Sequence, residues 1–323
     1  MKRREVTILA TLLLMKASIA HAQPAERVWS LGFISSGYST SSSLRLIPAE
    51  LAGMGYVEGR NLILESRFAE GAPERLPILA RELAGRRLDA IIAVSNPAIR
   101  AVKEAAPTTP IVMAFAGEDP VAAGLVSSLN RPGGTVTGVT VPATEMDAKR
   151  IELVAQAMPD IKRIALLTTR YAEQDRTLLA RSAAQALGLD LIIVAAANKL
   201  DYDAAFKAIA SANVTALVIG SSPVFFRDVT ELTARASTML LPTICEWRDM
   251  AEAGCLLSFG PNRHTLYRRV ATYVARIFRG EQPRDLPVEQ PDVFELIINL
   301  QTARALNVTF HSTLLARADE VIE

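Results

Sequence analysis

From Arg27 onward, short apolar runs of strand length alternate with longer amphipathic segments of helix length. The runs predicted to be strands span 28–35, 61–68, 89–95, 110–116, 135–141, 163–169, 189–196, 215–221, 242–247 and 256–260. Segments such as 73–87 and 202–212 lie between them and carry a helical pattern. Apolar strands that alternate with helices are typical of parallel sheets covered on both faces, so the chain predicts an α/β fold.

This order of elements occurs twice along the chain. The stretch RRLDAIIAVSNP ends at Pro97, and the stretch NVTALVIGSSP ends at Pro223. A further strand begins at Pro110 in the first half and at Pro242 in the second. The two halves match in pattern more than in identity. They predict two similar βα lobes related by an internal near-duplication.

Three predicted strands are followed by a small or acidic residue and then proline, at Asn96-Pro97, Asp119-Pro120 and Ser222-Pro223. The residue before the proline suits a helix N-cap, and proline suits the first helical position. We therefore expect Asp119 to cap a helix over 120–129 that ends in the turn 130–134. Ligands of open α/β sheets lie beyond the carboxyl ends of the strands, where free helix N–H groups favour an anion. Helix caps also occur where no ligand binds.

The common nucleotide and hydrolase motifs are missing from the sequence. Gly32 and Gly37 have the spacing of a phosphate-binding loop, but Tyr38 stands where that loop needs lysine. Neither G-x-G-x-x-G nor G-x-S-x-G occurs. The adjacent acids Glu118 and Asp119 are interpreted as helix-start residues rather than a catalytic pair. We expect no enzyme activity.

The N-terminus has the order of a secretory signal peptide. The basic stretch MKRRE precedes ten apolar residues, and Ala20-His21-Ala22 forms a small-x-small cleavage site. We predict that residues 1–22 are removed by a cut before Gln23 and that the protein is periplasmic. The alternative is a buried N-terminal helix. No later apolar stretch reaches the length that a membrane span needs.

Charge and cysteine content narrow the function further. Lysine and arginine number 35 against 34 acids, and this balance gives no basic field for nucleic acid. Cys245 and Cys255 either form a disulfide in an exported protein or are separate small core residues. Only His264 and His311 remain after the predicted cleavage, so we expect no metal site and no cofactor.

Long stretches of the chain resemble the ABC-transporter substrate-binding family that includes tryptophan- and tyrosine-type proteins. They are GYVEGRNLILESRFAEGAPERLP, EDPVAAGLVSSLNRPGGTVTG, the run 260–306 and TLLARADEVIE at the C-terminus. The resemblance implies a type I periplasmic-binding-protein fold of two Rossmann-like lobes, with parallel sheets joined by crossover strands. It places lobe 1 at 28–141 plus 259–284, and lobe 2 at 142–258 plus 285–323.

The resemblance also carries the family's cleft positions onto this chain. They fall on Ser36, Gly37, Ser95, Asn96, Pro97, Ala98, Ala116, Asp119, Arg170, Tyr171, Ser222, Pro223, Phe225, Glu246 and Trp247. The sequence departs from the family pattern in SNPAI at 95–99, in DPVAAGLV at 119–126 and in CEWRD at 245–249. These departures leave the identity of the ligand open.

Several of these side chains have a structural alternative. One of Phe225 and Phe226 is expected in the core, Trp247 could pack between the lobes, and Arg170 could be a solvated charge. The resemblance implies a monomeric receptor that closes on a small carboxylate-bearing ligand, such as an aromatic amino acid, and delivers it to an ABC permease. The alternatives are an exported sensory module that docks to a receptor and an exported hydrolase on the same fold. A lactose-repressor-type regulator shares the fold, but a signal peptide stands in place of its DNA-binding helices.

Overall fold

The computed structural model describes residues 27–40, 43–117, 119–141, 143–169 and 174–323. The predicted signal peptide and its cleavage site lie outside these residues. The strands are β1 (Trp29–Ser35), β2 (Leu62–Phe68), β3 (Ala90–Val94), β4 (Ile111–Ala116), β5 (Val136–Thr140), β6 (Arg163–Thr168), β7 (Asp190–Ala195), β8 (Leu217–Ile219), β9 (Thr243–Cys245), β10 (Leu257–Pro261), β11 (Phe294–Asn299) and β12 (Glu320–Ile322).

The helices are α1 (Ser43–Gly53), α2 (Leu76–Ala84), α3 (Asn96–Ala105), α4 (Ala143–Ala157), α5 (Gln174–Ala186), α6 (Lys199–Ser211), α7 (Pro223–Arg227), α8 (Val229–Thr238), α9 (Arg248–Glu252), α10 (Arg263–Phe278), α11 (Leu300–Ala305) and α12 (Ser312–Leu315). Short 3₁₀ turns lie at Pro73–Arg75 and Pro283–Asp285.

Two sheets form two lobes of an α/β fold, as predicted. The first sheet has the strand order β2-β1-β3-β4-β5, and every pair in it is parallel. The second contains the same order as β7-β6-β8-β9-β10, which reproduces the predicted repeat. We call the first sheet with its helices lobe 1 and the second lobe 2. The sheets bury most residues of β3, β4, β6 and β8, as parallel sheets covered on both faces require.

Two strands were absent from the sequence prediction. β11 pairs antiparallel with β10, and β12 extends the same edge of the sheet. β11 runs directly into α11, whose N-cap is Asn299, so no turn residue separates strand from helix. Because no turn residue marks its end, the stretch 294–299 lacks a boundary that predicts a strand.

The predicted helix over 120–129 is wrong. The segment instead forms a series of turns in which the Asp119 carboxylate accepts hydrogen bonds from the N–H groups of Val121 (2.8 Å) and Ala122 (3.4 Å). Gly124 has a left-handed φ of 66°, and Lys103 donates to its carbonyl oxygen at 2.6 Å. A helix cannot continue through a left-handed residue whose carbonyl is bonded elsewhere, so Asp119 caps a turn.

The chain passes between the lobes after β5, after β10 and before β11. Helix α10 follows β10 but packs on α1, β3, β4 and β5 of lobe 1. Strand β10 continues to Pro261 in the second sheet, so the boundary expected at 258/259 falls inside it. Cys245, at the end of β9, forms a disulfide with Cys255, and both residues are fully buried. Among the described residues no helix has the length and apolar content of a membrane span.

Candidate functional site

A cavity of about 330 Å³ lies between the lobes, at the carboxyl ends of their strands. Its wall in lobe 1 comes from the loops after β1, β2, β3 and β4 and from the start of α10. Its wall in lobe 2 comes from the loops after β6, β7, β8 and β9 and from α7. Ligand pockets of open α/β folds lie at such strand ends, and this volume is within their usual range.

The strained backbone of Ser95 forms part of the wall in lobe 1. Ser95 has φ 86° and ψ 152°, a conformation that non-glycine residues rarely adopt. It is also the N-cap of α3, so the expectation that Asn96 is the cap is wrong by one residue. Within the described part of the chain, Ser95 Oγ and Asn96 Oδ1 are buried without a hydrogen-bond partner. Strain and unpaired polar atoms at one cavity wall favour a ligand-binding role.

Helices α3 and α4 are among those of more than two turns that begin at the cavity. Helix α3 begins at Asn96 and Pro97, and α4 begins at Ala143, and these residues line the cavity. The first N–H groups of a helix have no intrahelical partner, and the helix dipole places partial positive charge there. Both starts therefore favour an anionic group in the cavity.

Four aromatic rings cluster at one end of the cavity. Phe115 of lobe 1 contacts Trp247 of lobe 2 edge-on, with ring centroids 5.9 Å apart, and contacts Tyr267 at 5.2 Å. Phe226 of lobe 2 lies beside them, 4.2 Å below the guanidinium of Arg263. Rings arranged in this way offer an apolar surface that suits an aromatic or aliphatic ligand group.

Arg150 of α4 is fully buried behind the wall in lobe 2. It donates through Nη1 to Asp147 (2.7 Å) and to Ser221 Oγ (3.1 Å), and through Nε to the carbonyl of Phe259 (2.9 Å). Its Nη2 lies 3.7 Å from Glu246 Oε1. Because Ser221 and Glu246 line the cavity, Arg150 ties α4 to the two loops that carry them.

A second arginine, Arg227, lies over the ring of Tyr38 across the cleft, 3.5 Å from the ring centroid. Arg227 donates to both carboxylate oxygens of the buried Asp228 at 2.6 Å, and Tyr202 donates to Asp228 at 2.9 Å. The hydrogen bond to Asp228 raises the pKa of Arg227, so the guanidinium remains charged. Burial is the main cause of a raised pKa at Tyr38, which remains protonated at neutral pH.

Nine of the residues predicted for the site line the cavity. They are Ser36, Gly37, Ser95, Asn96, Pro97, Ser222, Pro223, Glu246 and Trp247. The cap predicted at Ser222 is present, since its Oγ accepts from the N–H of Val224 at 3.2 Å. Arg170 and Tyr171 lie outside the described residues, and their binding role stays a prediction.

Four other predicted positions do not line the cavity. Ala98, Ala116 and Phe225 are fully buried in hydrophobic clusters, and Asp119 is exposed at its turn. Helix and strand geometry explains this. Ala98 lies on the face of α3 toward the sheet, and Phe225 faces inward from the single turn of α7.

The cavity also has residues that the sequence reasoning missed. They include Tyr38, Phe115, Arg227, Arg263 and Tyr267. Tyr38 follows the predicted Gly37, and Arg227 lies two residues after the predicted Phe225. A predicted loop one or two residues longer would include each of them. Arg263 and Tyr267 belong to α10, and no local signal in the sequence points to a cavity there.

Among the residues that the structure describes, no group of three or more His, Cys, Asp or Glu side chains could hold a metal ion. The polar groups of the wall instead suit hydrogen bonds to an organic solute. Glu246 is the acidic side chain among the described lining residues, and Arg227 and Arg263 are the basic ones.

A family model described as ABC transporter substrate binding protein matches residues 38–322. The chain is also 25% identical over 260 residues to a tyrosine-binding protein of Clostridioides difficile strain R20291. That match covers 80% of this chain and 74% of the relative.

Solved structures share the architecture. A conserved domain protein from Vibrio cholerae O1 biovar El Tor superposes with a TM-score of 0.82 at 24% identity, covering 91% of this chain and all of that one. An ABC domain from Streptococcus pneumoniae, solved in complex with L-Trp, superposes with a TM-score of 0.80 at 23% identity and the same coverage. At these identities the structures establish the fold.

Proposed function

The chain belongs to the ABC transporter substrate-binding protein family, and from this premise we propose that it is the exported receptor of an ABC importer. The family consists of solute-binding receptors without catalytic activity. We propose that the two lobes close around a small solute that carries a carboxylate. The observation that carries this proposal is the cavity between the lobes, which is lined both by Ser95 and Asn96, with their unpaired buried polar atoms, and by a cluster of aromatic rings.

The proposed ligand class is an aromatic amino acid or a close relative. Its carboxylate would bind at the start of α3, where Ser95 and Asn96 supply polar side chains and the helix supplies N–H groups. Its side chain would pack against Phe115, Trp247 and Tyr267. The relative named for tyrosine binding and the similar fold solved with L-Trp support the same class.

We also propose where the receptor acts and which membrane protein receives its ligand. The charged, apolar and small residues at 1–22 have the order of a signal peptide, so we propose a cut before Gln23 and a periplasmic receptor. The family implies an ABC permease as the partner, and we propose that the receptor is a monomer. Closure would present surfaces of both lobes to the permease.

A thermal-shift screen on protein refolded from denaturant tests the ligand class, because refolding removes any co-purified solute. The compounds are L-tryptophan, L-tyrosine, their deaminated acids, their decarboxylated amines and an uncharged sugar. A ligand at 100 times its dissociation constant raises the free energy of unfolding by about 2.7 kcal/mol. We expect a shift with compounds that keep the carboxylate. Shifts with the amines or the sugar alone would overturn the proposed class.

Two further measurements test export and the absence of a metal. The intact mass of protein recovered from the periplasm should equal that of a chain that begins at Gln23. A mass that includes Met1 would contradict the predicted cleavage. Prolonged chelation should leave ligand affinity unchanged, and a large loss of affinity would show that a metal takes part.

A further inference from the structure

Helix α7 of lobe 2 lies against lobe 1 along most of its single turn. Arg227, its last residue, holds its guanidinium 3.5 Å from the ring centroid of Tyr38 in lobe 1. Phe226, the residue before it, lies 4.2 Å below the guanidinium of Arg263, which belongs to α10 of lobe 1. Adjacent residues of α7 therefore make two of the cation–π contacts that cross the cleft, and the cation comes from a different lobe in each.

Glycines allow the close approach of the lobes around this helix. A Cβ at Gly37 of lobe 1 would lie 3.1 Å from Cβ of Pro223, the first residue of α7. A Cβ at Gly71 would overlap the hydroxyl of Tyr38 and would lie 3.6 Å from Val224. Any larger side chain at either position would displace Tyr38 or push α7 away.

Both arginines are held in place by acids of lobe 2. The bidentate bond to the buried Asp228 fixes Arg227 within its own lobe, where Phe225 anchors α7 in the core. Arg263 instead crosses the cleft to pair with Asp249 of α9, and it donates to Tyr267 Oη at 3.1 Å. A guanidinium that is already fixed loses little side-chain entropy when it stacks on a ring.

We propose that α7 is a clasp whose two cation–π contacts, Arg227 on Tyr38 and Arg263 on Phe226, hold the lobes together in the ligand-free protein. The ligand then enters during transient openings and is retained when the clasp closes again. Because the closed state is already populated, the ligand provides less of the free energy of closure. This inference concerns the lobes alone and does not depend on which solute binds.

Small-angle X-ray scattering of the refolded, ligand-free protein tests the clasp. The variants are Tyr38→Leu, Phe226→Leu and the double variant, each of which removes a ring and leaves every charge in place. A cation–π contact of ordinary strength changes a two-state ratio by about 2- to 30-fold. We expect the ratio of closed to open protein to fall by that factor in each single variant, and further in the double variant.

Arg27→Gln is the control that removes a cation–π contact within one lobe. Arg27 lies 3.7 Å from the ring centroid of Trp29, and this contact of the same kind lies within lobe 1. The variant should therefore scatter like wild type. Far-ultraviolet circular dichroism checks that each variant folds. The clasp is overturned if ligand-free wild type scatters as an open form, or if folded Tyr38→Leu and Phe226→Leu scatter like wild type. A failed ligand screen would leave either result intact.

Discussion

Phe225 and Phe226 are neighbours in α7, yet the first is fully buried in the core of lobe 2 and the second faces the cavity and Arg263. A helix turns about 100° per residue, so adjacent side chains of a single turn face different surroundings. The expectation that one of the two belongs to the core is thereby resolved in favour of Phe225.

Mutation of Phe225 and Phe226 separates an effect on folding stability from an effect on ligand binding. Phe225→Ala should lower the free energy of unfolding by about 3–5 kcal/mol, because it leaves a cavity in a closely packed core. Phe226→Ala should change stability less and should weaken ligand binding. Urea denaturation and titration calorimetry measure the two effects, and equal losses of stability would contradict the assignment.

Arg150 and Asp147 should be strongly coupled. Arg150→Met should destabilise the fold by about 3–5 kcal/mol, because Asp147 remains buried without the guanidinium that bonds it. The double variant Arg150→Met/Asp147→Leu should recover much of this loss. Arg163→Met, which breaks an exposed pair with Asp190, serves as the control and should cost under about 1 kcal/mol. Urea denaturation of wild type, Arg150→Met, Asp147→Leu and the double variant gives the coupling energy, and additive losses would show that the buried pair is not a unit.

Asn96 and the predicted contact Arg170 should differ in their effect on binding. Asn96→Ala should leave stability nearly unchanged, because its amide oxygen has no partner in the described structure, and should weaken binding by about two- to tenfold. Arg170→Ala should weaken binding more, by about 1.5–3 kcal/mol, if its guanidinium bonds the ligand carboxylate. Titration calorimetry with the compound found in the screen ranks the two. Unchanged binding in Arg170→Ala would show a solvated arginine and would leave Ser222, Tyr171 or Trp247 as the contact from lobe 2.

Stability should fall in alkaline solution through Tyr202. Burial first, and then the hydrogen bond to Asp228, raise the pKa of Tyr202 well above its ordinary value near 10. Above about pH 10 the unfolded chain releases this proton while the folded chain keeps it. The stabilisation is therefore complete below about pH 10 and is lost as the pH rises further. Urea denaturation between pH 8 and 11 should show that the free energy of unfolding declines less steeply with pH for Tyr202→Phe than for wild type. Identical slopes of this free energy against pH would contradict this account.

The local pattern of the sequence was enough for most of the fold. The strands through β10 and the two-lobe repeat follow from apolar runs and turn residues that are close together in the chain. Each exception has its own physical cause. Lys103 binds a carbonyl within the segment predicted to be a helix, and β11 runs into a helix without a turn.

The candidate site likewise has a part that the local sequence predicts and a part that it does not. Loops such as 95–97 and 222–223 could be placed from the sequence, because a parallel sheet brings the carboxyl ends of its strands to one edge. Which side chain of each loop faces the cavity required coordinates. The N-cap of α3 is Ser95, one position before the predicted Asn96. Phe225 faces the core because of its position around the helix turn, and a shift of one residue would change that direction.

By itself, the sequence determined the order of strands and helices, the duplication and the edge at which a ligand could bind, since these depend on interactions between near neighbours in the chain. Only the tertiary structure decided that Tyr38 meets Arg227, that Arg263 reaches Phe226, and that Arg150 lies behind Glu246. Those contacts join residues far apart in sequence. The first two are set by how two separately packed lobes fit together, and the third by how α4 packs against the loop after β9 within lobe 2. No local periodicity encodes either fit.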